Sequence, residues 1–206
     1  PSDDVDAQAE TIGRPIAADP DEYRIVDEAR ETEVTTGTPG ELAARGPGIF
    51  SGYFRNPEEN EAAFDDDGWF YTEDVIERRT DGNYLVHGRL KDTIIRGGEN
   101  IYAPGLEDEL IKHPKVQNVA VIGMPDDRLG ERPMAYVELE SGADALTLDE
   151  VAAFMEQRGV AVFKRPERVE VVESLPRTEV GKISKTDLRD RITEALRAEG
   201  KLGDDR

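Results

Sequence analysis

Apolar and polar residues alternate between Tyr23 and Val34, and further short segments of strand length, separated by turn residues, follow to about residue 90. Strict alternation predicts strands that bury one face. Residues 75–78 and 83–86 flank a Thr-Asp-Gly turn, which predicts a β-hairpin. We therefore expect residues 1–90 to form a β subdomain that is rich in turns.

Helical periodicity appears in the second half of the chain. Residues 104–113 carry apolar side chains on one face, and the segment ends before Pro114, as helices commonly do. Thr147 and Glu150 have the spacing of a capping box, which predicts the start of a second helix. Ser184 is expected to cap the last helix.

Three apolar runs of strand length lie among these helices, at residues 116–124, 134–139 and 169–172. A small three-stranded sheet with helices packed against it is the natural arrangement. The predicted fold class is α+β, with a turn-rich β subdomain at residues 1–90 followed by a small α/β lobe at residues 91–206.

Composition and charge exclude several classes of function. The 206 residues contain no cysteine, which excludes disulfides, zinc–thiolate sites and cysteine nucleophiles and suits a reducing cytoplasm. With 46 acidic and 26 basic residues, the formal net charge is −20. Such a surface repels nucleic acid and anionic membranes. We interpret the charge as an adaptation to a high-salt (halophilic) environment, and a binding role for the acidic surface is the alternative.

The amino-terminal residues lack both the basic region and the apolar stretch of a signal peptide. No apolar run approaches the roughly 20 residues that a membrane-spanning helix requires. We therefore expect a soluble, cytoplasmic protein with neither a membrane nor a nucleic acid as its partner.

Lys182 and Asp74 are the first candidates for chemistry. Lys182 ends the run Pro-Arg-Thr-Glu-Val-Gly-Lys, just before the last predicted helix. A lysine beside a turn glycine is most often only solvated, but on a loop it can also carry its charge to a phosphate or carboxylate oxygen. Asp74 follows an aromatic strand, where a carboxylate is either a turn cap or an acceptor for ligand hydroxyl groups.

The joint between the two predicted bodies holds further candidates. Arg89 and Lys91 belong to a charged Gly-Arg-Leu-Lys-Asp step, which is either a surface turn or a ligand contact. The guanidinium of Arg89 can hold a hydroxyl and a carboxylate at once. Gly97 and Gly98 are typical of a hairpin corner, and without side chains they would also let another molecule pass close to the backbone.

The two histidines, His87 and His113, are interpreted as structural, because neither is paired or near a carboxylate cluster in the sequence. No catalytic triad and no metal-ligand motif can be assembled from the chain. We therefore expect no metal site formed by these residues.

Four segments in a fixed order carry a resemblance to a known family. They are the run Trp-Phe-Tyr-Thr-Glu-Asp, the step Gly-Arg-Leu-Lys-Asp, the Gly-Gly pair and the Val-Gly-Lys loop. In these segments the sequence resembles the carboxyl-terminal part of the AMP-forming acyl- and aryl-adenylating ligases, which include acyl-CoA synthetases and peptide-synthetase adenylation domains. Residues 159–169 and 173–176 resemble most the 2,3-dihydroxybenzoate–AMP ligases of catechol siderophore assembly.

The resemblance implies a role for each candidate residue. Lys182 would bridge the carboxylate substrate and the α-phosphate of ATP during adenylation. Asp74 would accept hydrogen bonds from both ribose hydroxyls, and Arg89 would be a second ribose contact. Lys91 would be the hinge between the two bodies. Gly97 and Gly98 would line the pantetheine tunnel.

Two positions depart from the family's pattern. Glu73 stands where the family has a glycine before the aspartate, and a glycine there can supply a backbone angle that glutamate resists. Gly105 stands where the family commonly has an acidic or small polar residue. Within a helix, this glycine is expected to cost roughly 1 kcal/mol of stability without affecting function.

The resemblance implies an ATP-dependent ligase for a small carboxylic acid. Such an enzyme forms an acyl- or aryl-adenylate, releases pyrophosphate and passes the acyl group to the thiol of CoA or of a phosphopantetheine carrier protein. Domain alternation about Lys91 would present Lys182 for the first step and the Gly-Gly corner for the second. The acid is expected to be of the 2,3-dihydroxybenzoate type, and a generic acyl-CoA synthetase is the alternative.

The resemblance covers nearly all of this chain but less than half of the family's enzyme. The phosphate loop, the segment that contacts adenine and magnesium, and the acid pocket are absent from the sequence. Residues 1–90 would then be the last β subdomain of the large amino-terminal lobe, and residues 91–206 the small carboxyl-terminal lobe. We expect the fragment to be inactive alone, with Mg2+ bound mainly by the missing lobe. A non-catalytic module that docks a carrier protein is the alternative.

Overall fold

Two compact units make up the chain, Pro1–Lys91 and Asp92–Arg206. The computed structural model describes residues 11–15 and 21–202. Each unit has its own sheet and its own groups of buried apolar side chains. The assignment of the two units to lobes of a larger enzyme stays a prediction.

The first unit is built on a four-stranded antiparallel sheet. Its strands pair in the order of the chain: β1 (Glu22–Val26), β2 (Pro39–Arg45), β3 (Phe70–Arg78) and β4 (Tyr84–Arg89). The β3–β4 hairpin is the one that the sequence predicted. Helix α1 (Pro57–Ala63) precedes β3 and begins where the Asn56 side chain accepts a hydrogen bond from the Glu59 amide.

Both faces of this sheet carry buried side chains. Ile25 and Val26 are consecutive in β1 and therefore point to opposite faces. Each belongs to a different group of buried residues, and the two groups are Val26, Ala43, Trp69 and Tyr71, and Ile25, Ile76 and Tyr84. The sheet is therefore the centre of the unit.

Strand β3 contains a bulge at residues 72–74. Tyr71 and Val75 lie four residues apart in β3, whereas their partners in β2 lie only two residues apart. The three bulge residues therefore oppose the single residue Leu42. A bulge bends its strand and re-aims the side chains that it carries.

A five-stranded sheet with helices on both faces forms the second unit. Its strands are β5 (Thr93–Arg96), β6 (Glu99–Tyr102), β7 (Val116–Asp126), β8 (Gly130–Leu139) and β9 (Arg168–Val171). β8 pairs antiparallel with β7 along its length and with β5 at its start, and it pairs in parallel with β9. The helices of this unit are α2 (Ala103–Leu110), α3 (Leu148–Gln157) and α4 (Lys185–Ala198).

The α+β class is confirmed, and the three predicted strands of the second unit are β7, β8 and β9. The sheet has two more strands than expected, because the β5–β6 hairpin joins it through one pair, Arg96 with Gly130. A single pair between distant segments leaves no periodic pattern in the sequence, so the hairpin's place in the sheet could not be predicted.

Alternate residues of β7 face two different cores. Val121 packs in the core that α2 and α3 cover, whereas Ile122 packs in the core that α4 covers. The helices contribute side chains at helical spacing: Leu106 and Leu110 from α2, Val151 and Met155 from α3, and Leu188, Ile192 and Leu196 from α4. The second unit is therefore a three-layer sandwich.

The predicted caps of α3 and α4 are present. The Thr147 hydroxyl accepts a hydrogen bond from the Glu150 amide, and the Glu150 carboxylate accepts one from the Thr147 amide. The Ser184 hydroxyl accepts a hydrogen bond from the Asp187 amide. Both helices thus begin at the residues that the sequence indicated.

Candidate functional site

Asp74 and Arg89 lie opposite each other on β3 and β4. The Nε atom of Arg89 is 3.1 Å from Oδ1 of Asp74, and its Nη2 atom donates to Oε2 of Glu73 at 2.8 Å. One planar guanidinium therefore holds two carboxylates at once, as its fork of donors allows. The three side chains are 40–46% exposed, so a ligand can reach them.

The bulge in β3 sets the backbone of this turn. Glu73 has a φ of 59°, a left-handed angle that residues other than glycine rarely adopt. The sequence predicted backbone strain at this position, because glutamate replaces the family's glycine. The observed φ angle of Glu73 agrees with this prediction, since glycine favours such an angle. The Asp74 amide donates to the Thr72 hydroxyl at 3.1 Å, and that hydroxyl donates to the carbonyl oxygen of Leu42 at 3.0 Å.

An ion pair with a buried carboxylate lies beneath the turn, and the sequence did not single it out. Glu41 of β2 is only 2% exposed and accepts two hydrogen bonds from the guanidinium of Arg30. The same carboxylate accepts a hydrogen bond from the Glu73 amide. The only indication of this ion pair in the sequence is the single acidic residue in the run Pro-Gly-Glu-Leu-Ala-Ala, whose pattern otherwise predicts a strand.

A cavity of about 440 Å3 opens beside the turn, entirely within the first unit. Its lining includes Tyr53, Tyr71, Glu73, Arg89 and Lys91. Aromatic rings combined with a few charged groups suit a polar small molecule with a flat ring. Lys91, the predicted hinge, thus lies at the edge of the same cavity and is the last residue of the first unit.

Lys182 lies on a tight, ordered loop between β9 and α4. The Thr178 amide donates to the Lys182 carbonyl oxygen at 2.7 Å, and the Gly181 amide donates to the Thr178 carbonyl oxygen at 2.8 Å. Arg177 Nη1 adds a hydrogen bond to the Gly181 carbonyl oxygen at 3.0 Å. The Lys182 side chain is exposed, and its ammonium has no hydrogen bond or ion pair to the described residues. The backbone of the loop is therefore held by hydrogen bonds, while the Lys182 ammonium can contact an anion.

The base of this loop is attached to the core by a buried acid. Glu138 is 8% exposed and accepts hydrogen bonds from the Leu175 amide and from the Asn118 side chain. The Ser184 amide donates to the Pro176 carbonyl oxygen at 2.8 Å, which closes the loop from the other side. Both ends of the Lys182 loop are therefore held by hydrogen bonds.

Gly97 and Gly98 form the corner of the β5–β6 hairpin, as expected. Their φ angles are 59° and 89°, and positive values at both central residues are what a type I′ turn requires. A Cβ atom on Gly98 would meet nothing within 4 Å. The backbone of this corner is thus open to close approach by another molecule.

A network of charged side chains supports the strand that leads to this corner. Both oxygens of Glu167 accept hydrogen bonds, one from Arg96 at 2.9 and 3.1 Å and the other from Arg132 at 2.6 Å. Arg132 also donates to Asp126 at 2.6 Å. This network joins β5 to β8 and the segment before β9, and no sequence motif indicated it.

The two histidines make structural contacts. His113 is buried, packs edge-on against Phe154 with ring centres 4.8 Å apart, and accepts a hydrogen bond from the Lys115 amide through Nδ1. Burial lowers the pKa of His113. The Nε2 atom of His87 lies 3.0 Å from a carboxylate oxygen of Glu77.

Within residues 11–15 and 21–202, no helix is long and apolar enough to cross a membrane. Over the same residues, no group of three or more His, Cys, Asp or Glu side chains could hold a metal ion.

Comparison with known families identifies the class of protein. Residues 105–182 match the family described as AMP-binding enzyme C-terminal domain. The match lies within the second unit, and Lys182 is its last residue. The chain belongs to the AMP-binding enzymes and includes their C-terminal domain, which confirms the family that the sequence motifs indicated.

Particular relatives extend the similarity over both units. The chain is 46% identical over 175 residues to the medium-chain fatty-acid–CoA ligase of Escherichia coli (strain K12), which covers 85% of this chain and 31% of the ligase. It is 42% identical over 188 residues to the 2,3-dihydroxybenzoate-AMP ligase of Bacillus subtilis (strain 168), which covers 91% of this chain and 34% of that protein. The chain spans about a third of the length of the curated relatives it matches.

A solved structure shows the same fold. The ATP-bound MatB from Rhodopseudomonas palustris matches with a TM-score of 0.80 and 32% sequence identity, and the match covers 90% of this chain and 36% of that one. Of the predicted site residues, the structure brings Asp74 and Arg89 together in the first unit. Lys182, Gly97 and Gly98 belong to the second unit.

Proposed function

We propose that the chain is the carboxyl-terminal part of an ATP-dependent acid ligase that forms an acyl- or aryl-adenylate and transfers the acyl group to a thiol. The observation that carries this proposal is the Asp74–Arg89 pair, held on a bulged strand beside a polar cavity. An exposed anionic acceptor next to a forked donor suits two neighbouring hydroxyl groups, as a ribose presents them.

In the adenylating step, a carboxylate oxygen of the acid attacks the α-phosphorus of ATP, and the bond to the bridging oxygen breaks to release pyrophosphate. The ammonium of Lys182 would lie between the two reacting anions and lower their repulsion. Asp74 and Arg89 would fix the ribose, so that the α-phosphate is held in place. Mg2+ supplies charge neutralisation at the phosphates when bound, and we assign it mainly to the rest of the enzyme.

In the second step, the sulfur of a deprotonated thiol attacks the acyl carbon, and AMP leaves as the bond to the phosphate oxygen breaks. We propose that reorientation about Lys91 exchanges the Lys182 loop for the corner at Gly97 and Gly98. The open side of Gly98 supports this role, because a pantetheine arm needs close access to a backbone without side chains. The thiol belongs to CoA or to a phosphopantetheine carrier protein.

The proposed acid is of the 2,3-dihydroxybenzoate type, as in siderophore assembly, with a general acyl-CoA synthetase as the alternative. The resemblance of residues 159–169 to the 2,3-dihydroxybenzoate–AMP ligases supports an acid of that type. The 46% identity to a fatty-acid–CoA ligase, against 42% to the 2,3-dihydroxybenzoate-AMP ligase, supports the alternative equally well. Pyrophosphate release measured with each acid decides between them. We further propose that the enzyme is cytoplasmic and works at high salt.

A chimeric enzyme tests the proposal directly. The matching third of the E. coli medium-chain fatty-acid–CoA ligase is replaced by this chain, and pyrophosphate release and thioester formation are measured separately. We expect the chimera to carry out both half-reactions and the isolated chain to carry out neither. Lys182→Ala should lower adenylation by at least about 100-fold while changing thioester formation from supplied acyl-adenylate by less than about threefold.

Lys164→Ala is the matched control, because Lys164 is also exposed and its loss changes the charge equally. Equal loss of both half-reactions in Lys182→Ala would contradict its role. A chimera without adenylation, together with ATP-independent binding of the chain to a carrier protein, would favour the non-catalytic module.

A further inference from the structure

We propose that the ion pair between Arg30 and the buried Glu41 is a positioning device for the ribose-binding turn at residues 72–74, and that it sets the enzyme's preference for nucleotides with a 2′-hydroxyl. This inference rests on the proposed function, since it deepens the role of Asp74 and Arg89. Glu41 is not expected to touch the ribose itself. Arg30 also lines the cavity beside the turn, so Glu41→Gln, which keeps Arg30, isolates the positioning effect.

The contacts of Glu41 use both of its oxygens. Arg30 Nε donates to Oε2 at 2.7 Å, and Arg30 Nη2 donates to Oε1 at 3.1 Å. The Glu73 amide donates to Oε1 at 3.0 Å. A buried carboxylate needs such partners, because an unpaired charge in the interior is strongly unfavourable.

The bulge explains why the Glu73 amide needs a side chain as its hydrogen-bond acceptor. In a regular ladder the Glu73 amide would donate to a carbonyl oxygen of β2, but residues 72–74 oppose only Leu42. A buried or half-buried amide requires some acceptor. The Glu41 carboxylate supplies it, and a hydrogen bond to an ionised acceptor is stronger than one to a carbonyl. This contact holds Glu73 at its left-handed angle.

Arg30 fixes the carboxylate in turn. Its Nη1 atom donates to the carbonyl oxygen of Ala62, near the end of α1, at 2.9 Å. Its guanidinium carbon lies 4.2 Å from the centre of the Tyr71 ring, in a cation–π contact. Arg30 also has a left-handed φ of 61°, so its own backbone is held in an uncommon conformation. The side chain is therefore oriented from three directions.

The contacts continue from the buried Glu41 carboxylate to the surface. Glu73 is fixed through its amide by Glu41, and its carboxylate accepts a hydrogen bond from Arg89. Arg89 in turn lies against Asp74. Loss of the Glu41 acceptor should thus displace Asp74 without removing any group that touches the nucleotide. The expected result is weaker recognition of the ribose rather than a general loss of chemistry.

The test uses the chimera and compares ATP with 2′-deoxy-ATP in adenylate formation. Arg30→Met combined with Glu41→Leu removes both charges, so that neither is left unpaired. We expect the kcat/KM of the unaltered chimera to be at least about tenfold higher with ATP than with 2′-deoxy-ATP. In the double variant the two values should differ by no more than about twofold. Its kcat at saturating ATP should change by less than about threefold. Glu41→Gln keeps one acceptor oxygen and should give an intermediate preference.

The matched control is Glu22→Leu combined with Arg45→Met, which removes an ion pair from the edge of the same sheet. It should leave the preference for ATP unchanged. If the double variant does not fold, Glu41→Gln is examined in the whole chain by amide NMR, where the Glu73 amide proton is expected to move upfield.

Two failures can be told apart. If Asp74→Ala loses the preference for ATP while the Arg30/Glu41 variants keep it, the positioning role is overturned and the ribose assignment stands. If Asp74→Ala keeps the preference, the ribose assignment is wrong and the positioning role falls with it. An unchanged Glu73 amide in Glu41→Gln would likewise overturn the positioning role.

Discussion

The amide of Gly97 donates a hydrogen bond to the carbonyl oxygen of Leu129 at 2.7 Å, which attaches the corner of the β5–β6 hairpin to the turn between β7 and β8. Gly97 is therefore held in place, whereas its neighbour Gly98 faces open space. The two glycines of the corner thus differ: one fixes it to the sheet and the other leaves it accessible.

Gly98→Ala should destabilise the chain by about 1 kcal/mol, because its φ of 89° is unfavourable for a residue with a Cβ atom. Urea unfolding measures this loss. In the chimera, thioester formation should fall more than adenylation, because the added methyl group enters the path proposed for the thiol arm. Gly142→Ala is the matched control: its φ is 82° and its surroundings are equally open. An equal effect of both variants on thioester formation would contradict the tunnel role.

Gly105→Ala should stabilise the chain by about 0.5–1 kcal/mol, because Gly105 lies inside α2 and alanine favours the helix. A Cβ atom at this position meets nothing within 4 Å, so no clash offsets the gain. Urea unfolding followed by circular dichroism measures the change. A loss of stability would show that the departure from the family's pattern has a role that α2 alone does not explain.

Stability should fall as the pH falls below about 6.5, because burial lowers the pKa of His113. The unfolded chain then binds a proton that the folded chain resists, so the stability contributed by neutral His113 is complete above the unfolded pKa and decreases below it. Glu150 opposes this shift and Lys115 reinforces it.

His113→Gln removes the titrating ring and keeps a hydrogen-bond acceptor for the Lys115 amide. Unfolding free energies at pH 7 and pH 5 should differ more for the unaltered chain than for this variant. Equal differences for both proteins would show that His113 does not contribute to the pH dependence.

The melting temperature should rise when KCl is increased from 0.1 to 2 M. The net charge of −20 opposes compaction, and the screening length shortens from about 10 Å at 0.1 M to about 3 Å at 1 M. Differential scanning calorimetry measures the change. A fall in melting temperature would show that ion pairs such as Arg168–Glu199 contribute more than the overall repulsion costs.

The sequence predicted those features that depend on neighbouring residues. The caps at Thr147 and Ser184 need only the residue type and an amide three positions later, and the β3–β4 hairpin needs only its turn. The pairing of Asp74 with Arg89 was also within reach, because a hairpin places the two residues on adjacent strands.

Contacts between distant segments could not be predicted. Glu41 and Glu73 are 32 residues apart, and the hydrogen bond between them follows from a bulge that depends on how two strands align. Arg96 and Glu167 are 71 residues apart, and they meet only because β5 and β9 both pair with β8. Local periodicity in the sequence carries no information on how distant strands align. An acidic residue within an otherwise apolar strand is the best signal in the sequence for such a contact.

The central strand β8 is covered on one face by α2 and α3 and on the other by α4, all from the same unit. The apolar interior of residues 92–206 is therefore complete without help from the rest of the protein. A change in the orientation of this unit would uncover none of that interior.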